Sequence, residues 1–111
     1  MAVPKKAMAI LTESMFYVLM ALMEGEKCGT DVADYIDART GGRLQVGPAT
    51  LYTILAKFES EKYIKEVLTE GRKRTYAITE RGAAAYDDEL ARLRSCVADA
   101  EAAAAERSER K

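Results

Sequence analysis

Three stretches of helical apolar spacing, a β-hairpin with a basic turn and a late heptad seam predict a mostly α fold with a small β-wing. The arrangement is a winged helix-turn-helix followed by a long C-terminal dimerisation helix. The most informative stretch is residues 46–59. Pro48 suits a first helical position, where its missing N–H would have no intrahelical partner anyway, and Gly47 permits the tight approach to it. Leu51, Ile54, Leu55 and Phe58 then recur at helical spacing as a single apolar stripe. The opposite face carries Ala49, Thr50, Tyr52, Thr53 and Lys57. Short hydroxyls, a phenol and a cation near a helix N-terminus are what a recognition helix brings to base edges and phosphates in a major groove. An ordinary solvated helix accounts for the same residues in isolation, so the residues downstream of it decide the choice.

Residues 63–69 are rich in β-branched and aromatic types, Glu70-Gly71 marks a turn, and residues 75–78 return as a second strand. Between them stand Arg72, Lys73 and Arg74, three consecutive cations in a nearly neutral chain. Basic solvated turns are common. This one comes directly after the candidate recognition helix, where a wing lies against the phosphate backbone, and that position favours the DNA reading.

At the N-terminus, residues 1–11, with Pro4, Lys5 and Lys6, are expected to form a loose arm. Thr12 caps a helix over residues 13–24, with Glu13 in its first turn and Gly25 as its stop. Its apolar residues cover nearly the whole circumference, so the stripe of Phe16, Met20 and Met23 is expected to meet another subunit. A second helix follows Cys28-Gly29-Thr30 and runs to about Arg39, with Val32, Tyr35 and Ile36 inward and Asp31, Asp34 and Asp37 outward. Gly41-Gly42 ends it, and residues 43–46 are expected as a third, minor strand beside the wing.

Thr79 caps a fourth helix, and Gly82 obscures where its regular part begins. Tyr86, Leu90, Leu93, Val97, Ala100 and Ala104 are spaced four, three, four, three and four apart, which is a heptad seam. Carried to about Arg107, the helix would be roughly 40 Å long at ~1.5 Å per residue, too long for this chain to cover alone. Pairing of Tyr86, Leu90, Leu93 and Val97 with a second copy is the economical solution, with residues 102–111 a frayed tail. The expected division is residues 1–79 as the DNA-binding unit with its arm and residues 80–111 as the dimerisation helix.

Composition bounds the function. Apolar residues are 49% and charged residues 32% of the 111, the balance of a globular protein, and no apolar run is long enough to span a bilayer. The start lacks a signal-type segment, and a cytoplasmic location is expected. The net charge of -1 weighs against nucleic-acid binding, although clustered cations with acids elsewhere still allow a basic face. There is no histidine, which removes Ser-His and Cys-His chemistry and the commonest metal ligand. Cys28 and Cys96 have no metal-binding spacing and read as small apolar residues, with a redox-sensing thiol as the sharper alternative. No enzyme, metal or cofactor is expected.

These residues together resemble the PadR family of bacterial transcriptional regulators, in its short form with one C-terminal helix. The matching pieces run from Leu11-Thr12-Glu13 and Gly29 through Gly41-Gly42-Arg43-Leu44 to Gly47-Pro48-Ala49-Thr50-Leu51-Tyr52. They continue with Tyr63-Ile64, Gly71-Arg72-Lys73-Arg74-Thr75-Tyr76-Ala77-Ile78-Thr79 and Gly82. The resemblance implies a homodimeric repressor that binds double-stranded operator DNA through Tyr52, its helix neighbours and the wing tip. It also implies relief by a small hydrophobic or aromatic effector, which the interface residues Phe16 and Met20 of one subunit and Leu93 and Val97 of the other would line. The chain departs from its relatives at Thr30, where an aromatic residue is frequent, and in having no Trp to sandwich a planar compound. The competing function is a winged-helix protein-interaction module without operator binding.

Overall fold

The Thr12 hydroxyl accepts the Met15 N–H at 3.2 Å and starts α1 (Glu13–Glu24), with Glu13 at the favourable end of the helix dipole. The structure is a computed structural model that describes residues 11–110. Most of the expected arm, residues 1–10, lies outside them, and Leu11 belongs to the core at 7% exposure. A two-residue β1 (Lys27–Cys28) leads into α2 (Gly29–Thr40), which ends where Gly41 turns left-handed at φ 60 and the Gly42 N–H reaches back to the Asp37 carbonyl at 2.9 Å. α3 (Pro48–Ser60) begins with Pro48 in its first turn and buries Leu51, Ile54, Leu55 and Phe58 as the spacing predicts. The hairpin pairs β2 (Ile64–Glu70) with β3 (Lys73–Ile78) around Gly71 at φ 63. α4 (Glu80–Glu109) completes the described chain.

The sheet is antiparallel in the order β1-β3-β2, and its third strand is not the one the sequence suggested. Residues 43–46 form no strand, because Thr40 takes up the backbone of Leu44. The Leu44 N–H donates to the Thr40 hydroxyl at 3.1 Å, and that hydroxyl donates back to the Ile36 carbonyl at 2.8 Å, so the Leu44 N–H is tied to the end of α2 and not free for a ladder. Lys27 and Cys28 fill the free edge of β3 instead, opposite Tyr76 and Thr75. A bulge at Val67 interrupts the β2–β3 register between Glu66 and Leu68.

Val18, Leu19 and Leu22 of α1, Val32 and Ile36 of α2, and Leu55 and Phe58 of α3 are fully buried and form the centre of the winged unit. The second stripe of α1 is partly covered within the chain. The Phe16 ring stacks on Tyr86 of α4 at 4.9 Å and 9°, which leaves Phe16 only 8% exposed, whereas Met23 remains 41% exposed. α4 thus folds back onto α1 and covers Phe16 from within the chain, while Met20 and Met23 of the same stripe stay half-buried and exposed.

The start of α4 is fixed by the carbonyl of Tyr63, which accepts the Thr79 N–H at 2.9 Å. The Thr79 hydroxyl accepts the Gly82 N–H at 3.1 Å and donates to the Lys62 carbonyl at 2.7 Å. A Cβ at position 82 would lie 2.1 Å from the Tyr63 carbonyl oxygen. Gly82 is therefore a close-approach glycine inside the first turn and not an interruption of the helix. α4 continues regularly to Glu109, through residues expected to fray, and is about 45 Å long at ~1.5 Å per residue.

Glu89 is the one buried charged residue among those described, at 5% exposure, and both its oxygens meet Arg92, at 2.5 and 2.9 Å. The Arg92 hydrogen bond holds the Glu89 carboxyl below the usual carboxylate range. A carboxyl whose folded-state pKa is depressed contributes stability above its unfolded value and loses it as pH falls through the folded one.

Two measurements check this packing. Gly82→Ala is expected to destabilise the protein by about 3 kcal/mol, since the obstructing atom is backbone, whereas Gly25→Ala, which meets nothing within 4 Å, should change stability by less than about 0.5 kcal/mol. Urea unfolding of both variants separates these outcomes, and equal effects would contradict the close approach. Between about pH 5 and pH 3, wild type should lose more stability than Glu89→Gln, and parallel pH curves would remove the role of the Glu89–Arg92 pair.

Candidate nucleic-acid interface

The exposed side of α3 is built by the same residues that bury its other side. With Leu51, Ile54, Leu55 and Phe58 turned inward, helical geometry leaves Ala49, Thr50, Tyr52, Thr53 and Lys57 exposed. Tyr52 is 55% exposed. Thr53 donates its hydroxyl proton to the Ala49 carbonyl at 2.9 Å, so it faces outward as an acceptor. Gly47 offers no side-chain cap and Pro48 has no N–H, which leaves the first amides of α3, at Ala49 and Thr50, without a side-chain acceptor.

The wing meets this helix in one cleft. Tyr52 of α3, Arg72, Lys73, Arg74 and Tyr76 of the wing, and Cys28, Gly29 and Thr30 at the start of α2 line an open cavity of about 340 Å³. Gly29 is what lets Tyr52 lie across the mouth of α2, since a Cβ there would stand 3.1 Å from the Tyr52 ring. The structure thus brings together the predicted Tyr52, Arg72, Lys73 and Arg74, while Ala49, Thr50, Thr53 and Lys57 continue along the exposed face of α3.

The three wing cations differ in their surroundings. Arg74 is bound to Glu66 at 2.6 and 2.9 Å and approaches Glu59 at 3.5 Å. Among the described residues no carboxylate lies within ion-pair distance of Arg72, Lys73 or Lys57. The Glu66 hydrogen bond raises the Arg74 pKa, and burial pushes the Tyr76 hydroxyl up. Neither group changes charge near neutrality.

Sequence reasoning missed the contribution of Cys28, Gly29, Thr30 and Tyr76 to the cleft. β1 is two residues long, below what alternation can reveal, and only its pairing with β3 brings the start of α2 against the wing. Cys28 is buried, with its sulfur 3.2 Å from the Thr30 hydroxyl, while Cys96 is exposed on α4.

The interface residues assigned to a second copy are dispersed in exposure. Phe16 is buried, Met20, Tyr86, Leu90 and Leu93 are half-buried, and Met23 and Val97 are exposed, at 41% and 56%. A cavity of about 430 Å³ opens between α1 and α4, where Phe16, Tyr17, Leu93 and the Glu89–Arg92 pair contribute to its lining. Of the residues assigned to an effector, Phe16 and Leu93 line it, whereas Met20 and Val97 do not. No group of three or more metal-ligating side chains occurs among the described residues, and no helix among them is long and apolar enough to cross a membrane.

This architecture has known counterparts. A transcriptional regulator from Clostridium thermocellum superposes with a TM-score of 0.68 at 27% identity, over 74% of this chain and 83% of that one. Bacillus subtilis PadR in complex with operator DNA gives a TM-score of 0.61 at 25% identity, over 68% of this chain and 45% of that longer one. An uncharacterized protein of Lysinibacillus sphaericus is 31% identical over 77 residues, which is 66% of this chain and 70% of that protein. Residues 18–88, well over half of the chain, match the model of the transcriptional regulator PadR-like family. The winged helix, its three-stranded sheet and the long C-terminal helix are thus those of a known group of regulators, and the chain belongs to the PadR-like family.

Proposed function

We propose that this protein is a homodimeric, sequence-specific DNA-binding repressor, with residues 1–79 as the DNA-binding unit and residues 80–111 as the dimerisation helix. The observation that carries this reading is the convergence of Tyr52 and the cations of the wing on one cleft beside the exposed face of α3. Ala49, Thr50, Tyr52 and Thr53 read the major groove, with Lys57 further along the helix, and Arg72 and Lys73 meet backbone phosphates. The uncapped amides at the start of α3 add an anion-favouring helix end on the same side. Support comes also from the Bacillus subtilis PadR solved on operator DNA with a related fold.

Dimerisation is suggested by what α4 leaves uncovered. Tyr86 packs on Phe16 of its own chain, but beyond Leu93 no described residue covers the apolar seam, and Val97 is 56% exposed. A second copy laid along α4 covers Val97, Ala100 and Ala104. The 430 Å³ cavity at the root of that helix pair suits a small hydrophobic or aromatic effector, seated against Phe16 and Leu93.

Each of Arg72→Ala and Lys73→Ala should lower the salt dependence of operator affinity by about 0.9 in the slope of log K against log[salt], the contribution of one phosphate contact. Fluorescence anisotropy over a salt series measures this, and slopes that stay at the wild-type value in both variants would overturn the wing assignment. Val97→Glu should shift the sedimentation equilibrium towards monomer and weaken operator binding together. A variant that stays dimeric would place the interface elsewhere.

A further inference from the structure

Arg74 is surrounded differently from the two cations that precede it. Its Nε and one terminal nitrogen both donate to Glu66 Oε1, at 2.9 and 2.6 Å, and the same terminal nitrogen is 3.5 Å from Glu59 Oε1. Its guanidinium lies over the ring of Tyr76 at 5.5 Å, and that ring is itself buried. These partners come from three elements. Glu59 closes the last turn of α3, Glu66 stands on β2 opposite Tyr76, and Arg74 and Tyr76 share one face of β3. One cation between two carboxylates leaves this cluster with a net charge of -1. A phosphate brought to Arg74 would meet Glu59 and Glu66 at the same time, whereas one brought to Arg72 or Lys73 would not.

We infer that Arg74 is a positioning residue, one that ties Glu59 of the recognition helix to Glu66 of the wing and so fixes the angle at which both meet DNA. The inference rests on the DNA-binding reading above and assigns Arg74 a role other than phosphate contact. α3 and the wing share a hydrophobic base, where Leu55 and Phe58 belong to one core with Ile64 and Tyr76, and are joined by a short corner at residues 61–63, whereas the cleft lined by Tyr52 lies open between their exposed sides. A planar guanidinium that donates two N–H groups to Glu66 and keeps Glu59 within 3.5 Å sets that separation more narrowly than a lysine ammonium can, because its donors are fixed in direction as well as charge. Glu59 and Glu66 are then part of the DNA-binding apparatus although they are anions.

The sign of the Glu66→Gln effect distinguishes the two roles. The probe is the duplex that wild-type protein enriches from a random-sequence library, with affinity read by anisotropy across a salt series. If Arg74 positions the wing, Glu66→Gln weakens binding by about tenfold, the scale of one lost charge-assisted hydrogen bond, and leaves the salt slope unchanged. Arg74→Gln gives the same loss at the same slope, and the double variant is little worse than either one. If Arg74 instead contacts phosphate, Glu66→Gln tightens binding by removing an anion near DNA, and Arg74→Gln lowers the slope by about 0.9 as Arg72→Ala does. Either of those results overturns the positioning role while leaving operator binding intact. Enrichment of no duplex by the wild-type protein would instead overturn the DNA reading, and this inference with it.

Discussion

One backbone carbonyl, that of Tyr63, holds the two halves of this molecule in register. It accepts the Thr79 N–H at 2.9 Å, and the absent side chain of Gly82 lets the first turn of α4 press against it. The same corner closes α3, where the Tyr63 N–H returns to the Phe58 carbonyl at 2.9 Å and Lys62 adopts a left-handed φ of 65. α3, the wing and α4 therefore leave a single junction whose geometry is anchored by backbone contacts, which tolerate little displacement. A movement of α4 at this point has to be passed on to α3 and the wing or be absorbed as strain.

The electrostatic plan is local. A net charge of -1 gives the chain no general attraction for a polyanion. Its outward acids on α2, Asp31, Asp34 and Asp37, are exposed, while among the described residues no carboxylate pairs with Arg72 or Lys73 in the wing. Binding that relies on a few placed cations depends on where they are held, and this gives the packing of the wing against α3 a functional meaning. The single buried charge among the described residues, Glu89, lies in the first third of α4 with Arg92 as its partner, beside the α1–α4 contact.

Much of this was legible in the sequence. Thr12, Gly41, Pro48 and Thr79 mark helix boundaries because each satisfies or avoids a backbone group that a helix end exposes. The stripe of Leu51, Ile54, Leu55 and Phe58 identified both faces of α3. What escaped depends on side-chain contacts and strand register that residue pattern does not show. The third strand was misplaced because the Thr40 hydroxyl, four residues away, occupies the backbone of Leu44, and because β1 is too short to show alternation. The cover of Phe16 by Tyr86 joins residues 70 positions apart, and apolarity alone did not tell an internal partner from an external one. The bulge at Val67 and the sharing of Arg74 between Glu59 and Glu66 needed the observed register.

Two copies that present paired recognition helices and wings to one duplex must leave a symmetric mark on it. Hydroxyl-radical footprinting on the enriched duplex reads that mark. Two protected patches related by a dyad are expected, with centres about one helical turn, ~34 Å, or a whole multiple of it apart. A single asymmetric patch of protection would contradict the paired arrangement.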